Sequence, residues 1–311
     1  MDGTNALGEF LRARRGLVAP EEAGITPAGL RRVQGLRREE VALLAGVSAD
    51  YYLRLEQGRD RNPSAQVLAS IARVLRLDDD ATAHLLALAQ TGAAGRARAR
   101  PAARKPRLEQ MPHSIRQLID GWPANPAWAQ NRFFDVLGAN ALGAALSPNN
   151  TRGVNLLRAA FLDPAERARR RDWEAVTREG VATLRAQAGP GADDPRLNDL
   201  VGELSLRSER FRQLWGRHDV RPQKGHVTRL THPLVGDLDL PADKLSVGGT
   251  DGFVLVVLHA EPGSRDEELL RLLGSLAVSG SAARPTEQRP AEHLPAEQGP
   301  AGQDRPVTGE P

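Results

Sequence analysis

The chain has 311 residues, 40% of them hydrophobic, and no cysteine; that length suits two domains with separate cores and excludes disulfides and thiolate metal sites. The net charge of +3 is unevenly placed, with 18 Lys+Arg against 12 Asp+Glu in residues 1–107 and 24 against 27 in the remainder. No apolar run approaches the roughly 18 residues needed to cross a bilayer, and MDGTNALGEF lacks the basic and apolar regions of a secretion signal, so a soluble cytoplasmic protein with no membrane partner is expected.

The first helix is predicted from Asn5 to about Arg15, with Leu7, Phe10 and Leu11 at core spacing. Between Gly16 and Gly35 the pattern dissolves into Pro, Gly and the pair Arg31-Arg32, a long connection for a compact helical domain. The stretch Leu36 to Pro63, LRREEVALLAGVSADYYLRLEQGRDRNP, carries the strongest local logic. A helix from about Arg38 to Ala45 would bury Val41, Leu44 and Ala45, and Gly46 stands where a left-handed residue must stop it. Val47 then plugs the angle, Ser48 is a good N-cap, and a second helix runs from Ala49 to about Gln57 before Gly58. Helical periodicity puts Tyr52, Leu55 and Glu56 on the side of the preceding helix and leaves Ala49, Asp50, Tyr51, Leu53 and Arg54 outward or at the flank. A fourth helix follows Pro63-Ser64 and a fifth follows Asp78–Asp80, completing a five-helix domain over residues 1–90.

Residues 91–107 read as a basic linker (Arg96, Arg98, Arg100, Arg104, Lys105), either a solvated connector or a segment that tracks along DNA phosphates. A second domain is predicted over residues 108–278, with a short helix at His113–Ile119, strands at Ala127–Gln130 and Phe133–Asn140, and helices at Ala141–Leu146 and Val154–Phe161. Two long helices, Pro164 to about Ala188 and Pro195 to Trp215, precede strand-like alternation in His226–His232, Leu234–Leu240 and Phe253–His259. The last, FVLVVLH, has the uniform apolarity of a central strand, and a helix at Glu267–Leu276 closes an α+β domain. Residues 279–311 hold six of the 22 prolines and almost no large apolar residue, and disorder is expected there.

A tight Ala-Gly-Val-Ser turn favours a DNA-reading helix-turn-helix over a plain αα-hairpin. Arg38-Glu39-Glu40-Val41-Ala42, Leu44-Ala45-Gly46-Val47-Ser48 and Leu55-Glu56-Gln57-Gly58 resemble the helix-turn-helix of the Xre/Cro family of regulators, a similarity running from about Leu7 to Ala89. The resemblance implies base-edge contacts from Ser48, Ala49, Asp50, Tyr51 and Arg54 and phosphate contacts from Arg38, Arg59, Arg61 and Asn62. The residue types suit those roles: Arg54 can chelate guanine, Asp50 can accept from cytosine N4, and Ala49 can touch a thymine methyl. Ala49 replaces the Gln common there in phage repressors, so the operator sequence does not transfer.

The long insertion, DYYLRLEQG, NPAWAQNRFFDVLGAN (Asn125–Asn140), Asp172-Trp173-Glu174, and LWGRHDV followed by HPLVGDLDL together resemble actinobacterial Xre regulators with a MmyB-like ligand-binding domain, over about 270 residues. That resemblance implies a PAS-like fold and a small apolar or fatty-acid-like effector. Candidate pocket residues are Trp128, Phe133, Phe134, Val136, Leu142, Leu157, Phe161 and Val256, a set that is equally the composition of plain core. Ser208, His218 and Asp219 supply triad residue types, yet no nucleophile elbow, H-E-x-x-H or phosphate loop accompanies them. His218, His226 and His232 lack metal-ligand spacing. No enzyme, cofactor or metal is therefore expected. The reading is a multidomain regulator, all-α then α+β, that binds double-stranded operator DNA as a homodimer under a small effector's control. Its rival is a protein-interaction or carrier module that does not touch DNA.

Overall fold

The computed structural model describes residues 5–26, 33–60, 62–94, 109–188, 194–221 and 225–282. Helix α1 (Ala6–Leu17) is capped by Asn5, whose side chain accepts from the Gly8 N–H. Helix α2 (Arg38–Ala45) ends at Gly46 with φ +71°, and Ser48 opens α3 (Ala49–Glu56) by accepting from the Tyr51 N–H at 3.1 Å. Ser64 and Asp78 cap α4 (Ala65–Val74) and α5 (Asp79–Ala94) in the same way. Phe10, Leu11, Leu36, Val41, Tyr52, Leu55, Ile71 and Leu85 are fully buried in one core between these helices. On α2 the buried side is Val41, Ala42 and Ala45. Leu44 is 40% exposed, against the sequence expectation, because the helix turns Ala42 rather than Leu44 toward its neighbours.

The second domain begins with α6 (His113–Asp120), β1 (Ala127–Gln130), β2 (Val136–Ala139), α7 (Ala141–Leu146) and α8 (Leu156–Leu162). Three asparagines of the NPAWAQNRFFDVLGAN region and its sequel hold this part together. Asn131 Oδ1 accepts from the Phe133 and Asp135 N–H groups. Asn140 accepts from Ala127 and Gly143 and donates to the Ile119, Trp122 and Asn125 carbonyls. Asn155 caps α8 and donates to the Phe133 carbonyl. All three are buried, which such groups tolerate only when their hydrogen bonds are met.

Two long helices expected from the sequence are broken. The first becomes α9 (Pro164–Arg169) and α10 (Trp173–Ala188), because the intervening residues pair with β3 (His226–His232): the Arg171 N–H donates to the Arg229 carbonyl, and Asp172 accepts from the Arg229 N–H, both at 3.1 Å. The edge strand thereby gains backbone partners that a continuous helix would deny it. The second becomes α11 (Pro195–Arg207) and α12 (Glu209–Gly216), divided at extended Ser208, whose hydroxyl caps α12 and swings Phe211 into full burial.

Strands β4 (Gly236–Ser246) and β5 (Val254–Leu258) complete an antiparallel sheet of order β2-β1-β5-β4-β3, with β5 in the middle as its apolar run predicts. Helix α13 (Arg265–Ala282) packs beside α7 and runs past the expected helix end at Leu276 and past the expected domain boundary at residue 278. The basic linker from Arg96 onward and the tail beyond residue 282 lie outside the described residues.

The two domains touch. Val220 and Ala186 pack into the core of the helical domain. Arg14 of α1 meets Asp219 at 2.5 Å, while within the helical domain Phe10 stands edge-on to His84 of α5. Arg185, near the end of α10, donates to the Trp215 carbonyl at 2.6 Å, lies 3.1 Å from His218 Nδ1 and covers the Trp215 ring. The LWGRHDV segment is thus a strap between domains, with Asp219 engaged by Arg14 and Arg217 and no assembly of Ser208, His218 and Asp219 into a catalytic group. Burial and the neighbouring Arg185 pull both His84 and His218 down to a pKa of about 4.

Candidate functional site

Helix α3 is held to its neighbours by Glu56, whose carboxylate is fully buried. It accepts from Arg15 Nε at 2.7 Å and from Arg38 Nε at 2.6 Å, tying α1, α2 and α3 together. Asn5 Nδ2 donates to the Glu56 carbonyl at 2.7 Å, and Gly8 lets the helices approach so closely that a Cβ there would lie 2.1 Å from that oxygen. With Tyr52, Leu55 and Glu56 anchored, the opposite side of α3 presents Ala49, Asp50, Tyr51 and Arg54 to solvent or the half-buried flank.

Arg54 pairs with Asp50 one turn earlier and lies over the Tyr51 ring, so three of the expected base-reading side chains form one cluster. Ser48, the fourth polar member, spends its hydroxyl on the helix cap. Arg38 is 44% exposed but bound to Glu56, whereas Arg59 is exposed with no side-chain partner among the described residues. Asn62 is exposed nearby, and Arg61 lies outside the described residues.

The second site lies between the sheet and α10. Cross-strand pairing places Trp128, Val256 and Lys244 in one row and His226 and Ala242 in the next, all on one face with Gln130 and Thr228. Opposite them, α10 presents Val176, Glu179, Gly180 and Thr183, the i, i+3, i+4, i+7 stripe of a single helix face. Leu156, Leu157 and Ala160 of α8, with Phe134, Glu166 and Arg170, close a cavity of about 90 Å³. Phe134 holds φ +68°, a conformation fixed by backbone hydrogen bonds to Asn131 and Leu156.

Of the eight pocket candidates, Trp128, Phe134, Leu157 and Val256 line this cavity. Phe133 packs in the helical core under Arg132 and Arg196, Phe161 stands against Phe211, and Val136 belongs to the core between sheet, α7 and α13. Leu142 faces a separate open groove between α7 and α13.

The wall that aromatic composition does not reveal is polar. Lys244 Nζ meets Glu179 at 3.0 Å, Glu166 is bound by Arg169, Arg170 and Asn149, and Trp128 donates to Gln130 across the sheet face. These partners hold the Glu166 carboxyl below its usual range despite burial. Burial and Lys244 keep His226 below its usual pKa, hence neutral at pH 7. His232, on the same strand, contacts the Ala145 carbonyl, and no group of three or more metal-ligating side chains occurs among the described residues.

A helix-turn-helix domain joined to an α+β domain with an internal cavity defines a class, that of DNA-binding regulators with a sensor domain. A family model described as the MmyB-like transcription regulator ligand binding domain matches residues 111–273, more than half of the chain, and the chain belongs to that family. A model described as a helix-turn-helix domain matches residues 6–85. No curated protein matches the chain. The protein is therefore a helix-turn-helix transcription regulator carrying a MmyB-like ligand-binding domain. No helix among the described residues is long and apolar enough to cross a membrane.

Proposed function

We propose that the protein is a cytoplasmic homodimer that reads a specific operator through α3 and releases or tightens its hold when a small effector with an apolar body enters the cavity beneath α10. Ala49, Asp50, Tyr51 and Arg54 read base edges, and Arg38, Arg59, Arg61 and Asn62 hold phosphates, with half-sites about one helical turn apart matching the protein's twofold axis. Strand order β2-β1-β5-β4-β3 supports a PAS-like sensor fold. The observation that carries the reading is α10 itself: Thr183 lines the cavity, while Arg185 and Ala186, less than one turn further on, contact the interdomain strap and the helical domain.

A mobility-shift titration with DNA from upstream of its own gene tests this. Arg54→Ala should lose affinity for the cognate site but keep nonspecific binding, whereas Arg59→Ala should weaken both and reduce the salt slope by about 1. Wild-type binding that is indifferent to sequence and to salt would instead favour an interaction or carrier module.

A further inference from the structure

Among the buried hydroxyls of α10, Thr177 bonds back to the Trp173 carbonyl one turn earlier, the usual recourse of a helical threonine. Thr183, which lines the cavity, does not: its Oγ1 is buried and has no hydrogen-bond partner among the described residues. His226 Nδ1 across the cavity is likewise buried and unpartnered, since the nearest Glu179 oxygen is 3.7 Å away and beyond hydrogen-bond reach. Two unsatisfied polar atoms on residues that line one void are costly unless something there meets them.

The charge of that something is constrained by the walls. Lys244 is paired with Glu179, and Arg170 with the Glu166 carboxylate that it shares with Arg169, so both cations of the lining already hold a carboxylate. Glu179 lies one helical turn before Thr183 and would repel a carboxylate placed there, while Lys244 would repel an amine. The apolar part of the lining, Trp128, Phe134, Leu157 and Val256, suits an uncharged hydrocarbon body beside a neutral polar head.

Resting on the effector reading above, we propose that the cavity takes a neutral molecule with its apolar body against Trp128, Phe134, Leu157 and Val256 and its hydroxyl-class head between Thr183 Oγ1 and His226 Nδ1. A head that both donates and accepts satisfies the two orphaned atoms without disturbing either ion pair.

The test is ligand-observed NMR and calorimetry on the full chain with benzyl alcohol, benzoate, toluene and dodecanoate. Benzyl alcohol should bind at least about tenfold tighter than the other three, in line with the cost of leaving polar atoms unpaired or a charge unmatched. Thr183→Val should erase that preference while raising the melting temperature of the free protein, because it removes an unsatisfied hydroxyl; His226→Phe should also erase the preference. Equal or tighter binding of benzoate or dodecanoate would overturn the neutral-head assignment while leaving an effector domain in place. Toluene matching benzyl alcohol, with no effect of Thr183→Val, would do the same. If no probe binds and none alters DNA affinity, the cavity is not the effector site and the proposal falls with it.

Discussion

Replacing Glu56 by Gln probes the clamp that orients the DNA-reading helix. The carboxylate is fully buried and shared by two guanidinium groups whose exposures differ: Arg15 is 12% exposed and Arg38 44%. Stranding a buried charge costs about 3–5 kcal/mol, but Arg38 can return to water and the Gln carbonyl still accepts one hydrogen bond, so about 2–3 kcal/mol is expected here. At roughly 1–2 kcal/mol per M of urea for a domain of this size, the unfolding midpoint should fall by about 1–3 M. The sequence supplies domain-specific probes, because the only two tyrosines are Tyr51 and Tyr52 while all four tryptophans lie in the second domain. Fluorotyrosine NMR should show the early transition and Trp fluorescence a smaller shift. Arg38→Ala, which leaves Arg15 paired, should cost no more than about 1 kcal/mol. Unchanged fluorotyrosine midpoints in Glu56→Gln would refute the clamp.

Other perturbations test neighbouring links. Gly8→Ala drives a methyl to 2.1 Å from the Glu56 carbonyl, so α1 and α3 must part at a cost of about 1–3 kcal/mol, visible as a lower urea midpoint together with weaker operator binding. Asp50→Ala breaks an exposed i, i+4 pair with Arg54 and should change stability by less than about 0.5 kcal/mol, yet relax base preference in competition against single-substitution operators. His84 and His218 are held near pKa 4 against an ordinary 6.5. The unfolded chain therefore binds more protons between those values, and the stability of the junction is complete above about pH 6.5 and declines as pH falls toward 4. Trp215 fluorescence and scattering should report loosening in that window, and a flat response would count against buried neutral imidazoles. Arg185→Ala removes the tie from α10 to Trp215 and His218; effector binding should persist while its influence on operator affinity disappears, as measured by mobility shift with and without ligand.

The parts of the fold legible in the sequence are those decided within one or two turns. Gly46, Ser48 and the triple Tyr52, Leu55 and Glu56 each occupy the conformation or burial their chemistry implies, and the apolar run at Phe253–His259 supplies the central strand. What stayed hidden depends on distant partners. Nothing local distinguishes Arg170–Asp172 from helix, because the break exists to pair with Arg229. Aromaticity does not mark the polar half of the cavity; the signal that does is alternation, which puts His226 with Thr228 and Ala242 with Lys244 on one sheet face, opposite an α10 stripe carrying Glu179 and Thr183. The burial of Val220 in the other domain's core has no sequence signature, since an apolar residue after Asp219 is equally at home in its own domain.

The broken helix matters for regulation because it sets how far a local event can travel. Were residues 164–188 one rod, its ends would be fixed by α8 and by the strap, and a ligand pressing on its middle would meet both. Separation at Arg170–Asp172 leaves α10 as a shorter rigid body, hinged where the chain pairs with β3 and latched at Arg185. A helix rises about 1.5 Å per residue, so Thr183 and Arg185 are only about 3 Å apart along the axis, and a shift at the cavity is passed nearly undiminished to the latch. The ligand can bias the helical domain by no more than its difference in affinity for the two positions of α10. Coupling of about 1–3 kcal/mol, a 5- to 150-fold change in operator affinity, requires only that a few contacts at Trp215, His218 and Val220 differ between those positions. On the proposed reading, the effector's signal therefore reaches α3 through the packed junction, with the basic linker serving as tether rather than as transmitter.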